Sequence, residues 1–193
     1  MSVVVVVKKD KEIVIASDSL TNRGSLIINS QYKTNSEKFI KYQDNWIGCA
    51  NDNMSTQMLL HALENGKQEF SFDGIDNIYT SLLKLHKVLK KKYYLDPKQK
   101  KVTNQTVESI NMQLLIANNS GIYGVGEDKN IEEFSKFWAI GDGGVFALGA
   151  MHHVYDKYDA LKTAKIGVQT ACNFDEGCGL PIQIQMIKEK ICQ

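Results

Sequence analysis

The feature that most constrains the fold lies at the start of the chain: after Ser2, residues 3–7 are valine without interruption. β-Branched side chains are stiff about χ1 and suit a pleated surface. An unbroken apolar strand has no face to offer water, so it belongs inside a sheet covered on both sides. The charged tight turn Lys8-Lys9-Asp10-Lys11 leads into a second β-rich run, residues 12–16, which predicts an antiparallel hairpin. The valine run is strand-length, with no basic flank before it and no small-residue cleavage site after it. It does not read as a signal peptide.

The remaining pattern alternates between periods of two and 3.6 residues. Residues 21–36 are polar and irregular, with Arg23-Gly24 as a turn signal. A second hairpin follows at residues 38–42 and 45–50, joined around Gln43-Asp44. Met58, Leu59, Ala62 and Leu63 then recur at helical spacing from Met54 to a C-capping Gly66. Ile75, Ile78, Leu82, Leu85, Val88 and Leu89 form the stripe of a second helix, residues 74–94, ended by Asp96-Pro97. The lysines of residues 84–101 interleave with that stripe and read as its solvated face. Strands are expected at 110–117 and 122–126, joined by Asn118-Asn119-Ser120-Gly121, and at 137–140. Helices are expected at 145–155 and 159–172, and a last strand at 181–187. Two antiparallel sheets stacked face to face, each with a helix pair outside, bury every one of these apolar faces. The expected fold is therefore α+β, a four-layer αββα sandwich spanning residues 1–193 as one domain.

Composition narrows the function classes. A net charge of +1 over 193 residues offers no global attraction for nucleic acid or a membrane surface. No apolar run is long enough to span a bilayer. Without an export signal the expected address is cytoplasmic. There Cys49, Cys172, Cys178 and Cys192, which show no zinc-ligand spacing, read as free thiols packed as small hydrophobes. His152 and His153 are adjacent on a predicted helix and diverge around its axis, so they do not read as a metal site.

Three residues can carry chemistry. Methionine aminopeptidases clip Met1 before a small residue, which frees the α-amine of Ser2. An α-amine has an ordinary pKa near 8, so it can take the hydroxyl proton itself, making one residue both nucleophile and base. Asp18 follows the strand that returns to residue 2, and it is either a turn residue or the anchor of a lysine ammonium beside the nucleophile. Lys38 opens the strand Lys38-Phe39-Ile40-Lys41-Tyr42, as an edge solubiliser or as that cation.

The ordered motifs resemble those of proteasome β subunits and the bacterial HslV peptidase, within the N-terminal-nucleophile hydrolases. Val14-Ile15-Ala16-Ser17-Asp18 looks like their strand end, at matching distance from the nucleophile, and Lys38–Tyr42 resembles their lysine-led strand. Ile47-Gly48-Cys49-Ala50 resembles the strand after it. Ala139-Ile140-Gly141-Asp142-Gly143-Gly144 with Phe146-Ala147-Leu148-Gly149-Ala150 is similar to their glycine loop and small-residue helix, and Asp175-Glu176-Gly177-Cys178-Gly179 to their loop before the last strand. The resemblance implies that Ser2 is the nucleophile, that Asp18 and Lys38 are its supporting ion pair, and that the Gly48 amide is the oxyanion donor. It implies that Asp142, Asp175 and Cys178 position the N-terminus. It also implies that Thr21, Trp46 and Ala50 bind substrate, with Trp46 and Ala50 flanking Gly48 at a specificity pocket. No cofactor is implied.

This sequence departs from the family pattern in four ways. Serine replaces threonine, Asp142 stands at a serine position, Cys178 stands at a hydroxyl position, and the segment before Lys38 is longer, so that Lys33 fits the uninterrupted spacing nearly as well. The expected function is a peptidase subunit acting on peptides or unfolded proteins in a homo-oligomeric ring, fed by an ATP-dependent unfoldase. The competing readings are a catalytically silent ring subunit and a small-molecule amidase.

Overall fold

The computed structural model describes residues 2–50, 53–66, 69–95 and 108–188. Strand β1 (Val4–Lys9) turns through Asp10 and Lys11, both at positive φ, into β2 (Glu12–Ser17). The sequence then runs through β3 (Thr21–Arg23), β4 (Leu26–Ile28), β5 (Phe39–Tyr42) and β6 (Asn45–Cys49) to helices α1 (Asn53–Asn65) and α2 (Ile75–Lys92). Strands β7 (Leu114–Asn118), β8 (Gly121–Val125), β9 (Ile131–Phe134) and β10 (Phe137–Ile140) follow. Helices α3 (Gly144–Val154) and α4 (Ala160–Phe174) and strand β11 (Gln183–Lys188) complete the described chain.

The strands form two antiparallel sheets, one ordered β10-β1-β2-β11 and the other β5 to β9 in sequence order, with β3 and β4 as a separate ribbon. Val3 to Val7 are 0% exposed, as a strand covered on both faces requires. Alternate valines serve different layers. Val3, Val5 and Val7 pack with Ala147, Met151, Ala164 and Val168 of α3 and α4. Val4 and Val6 face the second sheet, against Leu115, Ala117 and Ile122. The outer face of that sheet is sealed by Leu59, Leu63, Ile78, Leu82, Leu85 and Leu89 of α1 and α2. These clusters make the four layers αββα.

The α2 stripe forms as its spacing predicts, with Lys84, Lys87 and Lys90 outside and Lys90 to Lys92 in the last turn, where cations complement the helix dipole. Asp96-Pro97, Cys192 and the lysines beyond residue 95 lie outside the described residues. The sequence reading places residues 21–36 in irregular structure, but Thr21–Arg23 and Leu26–Ile28 pair as a ribbon around Gly24 at φ +59°. It does not foresee β9, whose inner glutamates sit on the edge of the second sheet. The strand expected from residue 110 starts at Leu114, because Asn111 takes a positive φ of 51°.

Candidate active site

The β1–β2 register sets the site. Val4 pairs with Ser17, so Asp18 emerges opposite residue 3. The Asp18 amide donates to the Val3 carbonyl at 3.3 Å, and the Val3 amide donates to Asp18 Oδ1 at 3.0 Å. The same Oδ1 accepts from Lys38 Nζ at 2.7 Å. Oδ2 accepts from the amides of Leu20 at 3.1 Å and Gly179 at 3.0 Å. Asp18 is 0% exposed and Lys38 6% exposed, so this is a buried ion pair whose carboxylate also gathers backbone donors from separate segments. The Lys38 carbonyl accepts from the Cys49 amide at 2.9 Å, which ties the lysine to the end of β6.

Ser2 is buried beside this pair. Its carbonyl accepts from the Gly143 amide at 3.2 Å. Gly141, at φ +91°, crosses so close that a Cβ there would stand 2.3 Å from the Ser2 oxygen and 2.9 Å from Ala50 Cβ. Only glycine tolerates both the dihedral and the approach. The turn then closes through the Gly144 amide onto the Gly141 carbonyl at 2.9 Å and starts α3. Asp142, within the turn, is exposed.

Gly143 packs on Cys178: a Cβ there would meet Sγ at 2.6 Å. Cys178 follows the Asp175 cap of α4, where the Asp175 carbonyl accepts from the Cys178 amide at 3.1 Å and Asp175 Oδ1 from the Gly177 amide at 2.8 Å. Burial, the Asp18 and Asp175 carboxylates and a hydrogen bond to Asp175 push the Cys178 thiol well up. Burial and the Asp18 carboxylate push Cys172 up to about 11. Both are neutral thiols at physiological pH.

The structure thus brings Ser2, Asp18, Lys38, Asp142, Cys178, Asp175 and Ala50 to one end of the two sheets. It decides between the two lysines, since the one on Asp18 is Lys38. Lys33 instead donates to Thr21 Oγ1 at 2.9 Å. Two expectations are corrected. Gly48 lies inside the second sheet, between Phe39 and Leu115, so its amide faces a neighbouring strand whichever way it points. A Cβ on Gly48 would meet Val4 Cγ1 at 2.6 Å, so the missing side chain admits the facing sheet rather than substrate. Trp46 shares that inner face at period two. It packs edge-on to Phe39 at 5.7 Å against the inter-sheet cluster and borders a cleft with Phe39, Ile40 and Gln183 whose lining does not include Ser2. Ala50, just past the end of β6 at Cys49, is buried in the same cluster but at the edge where it also meets Gly141. Sequence reasoning missed the Leu20 and Gly179 amides on Asp18 and the Lys33–Thr21 contact. Backbone donors have no residue signature, and Gly179 alone was marked, by its place in the last motif.

An αββα sandwich that sets residue 2 against a buried lysine–aspartate pair has the form of an N-terminal-nucleophile hydrolase. No family model and no curated protein matches the chain. Solved structures do. BPH from Thiobacillus denitrificans in complex with epoxomicin is 33% identical, with a TM-score of 0.89 over 98% of this chain and 100% of that one. A second structure of BPH gives a TM-score of 0.88 at 33% identity, over 97% and 98% of the two chains. Eukaryotic HslV from Trypanosoma brucei shares the fold at 19% identity, with a TM-score of 0.69 over 96% of this chain and 99% of that one. The chain belongs to the proteasome/HslV family of N-terminal-nucleophile peptidases.

Proposed function

We propose that the chain is a serine-type peptidase subunit whose nucleophile is Ser2 once Met1 is removed, working in a homo-oligomeric ring. The observation that carries this reading is the shared Oδ1 of Asp18. It accepts from the amide next to Ser2 and from Lys38, so the ammonium lies within two hydrogen-bond lengths of the backbone that holds the nucleophile. An ammonium there favours the neutral form of the freed Ser2 amine and the ionised form of its hydroxyl. The amine takes the hydroxyl proton, Oγ attacks the substrate carbonyl, and the proton passes to the leaving amine. Water, deprotonated by the same amine, then releases the acyl group. The glycine turn fixes Ser2 through its carbonyl, and Cys178 supports the turn from behind as an uncharged packing group. The oxyanion donor is the Ala50 amide, just past β6 where Ala50 meets the turn, rather than that of Gly48. Peptides or unfolded protein are the substrates. The ring is cytoplasmic, and an ATP-dependent unfoldase delivers them. Epoxomicin, which BPH holds in its complex, is the natural probe.

The test is intact mass and N-terminal sequencing of the native protein, with and without epoxomicin. Loss of Met1 with an adduct on Ser2 that Ser2→Ala abolishes is the expected result. Retained Met1 and no adduct would sink the nucleophile and leave a catalytically silent ring subunit.

A further inference from the structure

A second lysine, Lys33, stands within reach of Lys38's charge and is held by a hydroxyl rather than a carboxylate. Asp18 is committed to Lys38 and three backbone amides. Lys33 is half-buried and reaches Thr21, whose hydroxyl accepts from Nζ at 2.9 Å. A lysine ammonium carries three donors, so this contact leaves two. Among the described residues Lys33 forms no ion pair with a carboxylate. Arg23 ends β3, two residues beyond Thr21 and therefore on the same face of that strand. Burial, then the charges of Lys38 and Arg23, push the Lys33 ammonium below its ordinary value. A cation crowded by cations and held to a neutral hydroxyl gains when an anion arrives.

We infer that Lys33, braced on Thr21 and backed by Arg23, forms a subsite that selects an acidic side chain on the bound peptide. This inference rests on the peptidase reading for its substrate class, although the chemistry of the subsite does not depend on turnover. A glutamate or aspartate lying along the Thr21 segment supplies the carboxylate that Lys33 lacks. The resulting charge-assisted hydrogen bond sits in a half-buried place where solvent screens it incompletely.

The test uses the full-length Ser2→Ala protein and fluorescent peptides capped at both ends that differ only by Glu, Leu or Lys at one position. Anisotropy at low salt should show the best Glu peptide binding about tenfold tighter than its Leu counterpart, the scale of one hydrogen bond to a charged group. Adding Lys33→Met should bring that ratio near one, Lys33→Glu should turn the preference toward Lys, and Lys33→Arg should keep it. Higher salt should shrink it. A merely structural Lys33 would weaken all peptides equally and leave the ratio intact. That outcome overturns the inference, as does the absence of any preference or binding. Hydrolysis by the Ser2 protein is scored separately. A Glu preference without turnover removes the peptidase reading and keeps the subsite. Turnover of all three peptides at equal efficiency does the reverse.

Discussion

Asp18 and Lys38 form a pair, but they are not equal partners. Deleting the carboxylate strands a buried ammonium and three backbone amides at once. Deleting the ammonium leaves Asp18 still accepting from three amides. Asp18→Ala should therefore cost about 3–5 kcal/mol, the scale of a broken buried ion pair. Lys38→Met should cost less, about 1.5–3 kcal/mol for one hydrogen bond to a charged group. Urea denaturation of the two variants decides the order, and Lys38→Met proving the costlier change would show that the ammonium, not the carboxylate, organises the site. The thiols give a second prediction. Cys172 is held at about 11 against an ordinary 9.0, chiefly by burial. Its folded-state value is raised, so its stabilising contribution is complete below pH 9 and is lost as pH climbs through about 11. Relative to Cys172→Ala, the wild type should lose stability across that window and not below it, as thermal melts between pH 7 and 10.5 would register.

At the scale of elements, the turn between β10 and α3 joins strand order to chemistry. Gly141→Ala forces a side chain onto φ +91° and against the Ser2 carbonyl. The left-handed conformation alone costs roughly 1–2 kcal/mol, and the contact adds to it. The variant should keep the far-UV spectrum of the wild type yet label with epoxomicin at least about tenfold more slowly, since the residue displaced is the one that attacks. Wild-type labelling in Gly141→Ala would mean that the turn does not hold Ser2. This turn was legible because its glycines stand in a recognisable order after a strand. So was β1, whose valines leave no polar face. Lys38, just before β5, could be paired with Asp18 only through the family resemblance, and Lys33 fitted the spacing nearly as well until the fold placed Lys38 on the carboxylate. The inner face of β6 was not legible. Period two correctly grouped Trp46, Gly48 and Ala50, but the face that reaches the partner sheet depends on where β6 stops. Strand β9 was hidden for a related reason. An edge strand needs only its neighbour's backbone, and Ile131-Glu132-Glu133-Phe134 carries little core pattern to announce it. The β3–β4 ribbon leaves Leu26 61% and Ile27 66% exposed and buries only the polar Thr21, so it has no apolar buried face for periodicity to reveal.

Those exposed residues matter for the whole molecule. A closed ring of identical subunits needs a heterologous contact, in which two unlike patches meet around the circle. Among the described residues two candidates stand on separate elements, besides an exposed stripe of Ile75, Tyr79 and Leu83 on α2. One is Leu26 and Ile27 on β4. The other lies across α3 and α4, where Phe146 stacks on Phe174 at 5.9 Å while Val145 and Phe174 are each 70% exposed. Isolated surface apolars need no explanation, but paired aromatics held open to water are characteristic of contact surfaces. On the ring reading, Leu26→Ser/Ile27→Ser and Phe174→Ser should each lower the oligomer observed by native mass spectrometry, because each removes one half of the same joint. Mixing the two variants supplies the stronger test. Each retains the patch the other has lost, so one sound joint forms between unlike subunits and the next position around the circle fails. The mixture should stop at heterodimers. Two separate isologous contacts would give a different answer, with each variant forming homodimers through its intact patch and the mixture adding no hetero-species. If Phe174→Ser leaves the assembly unchanged, the α3–α4 face is not a ring contact, and the joint must be sought elsewhere on the chain.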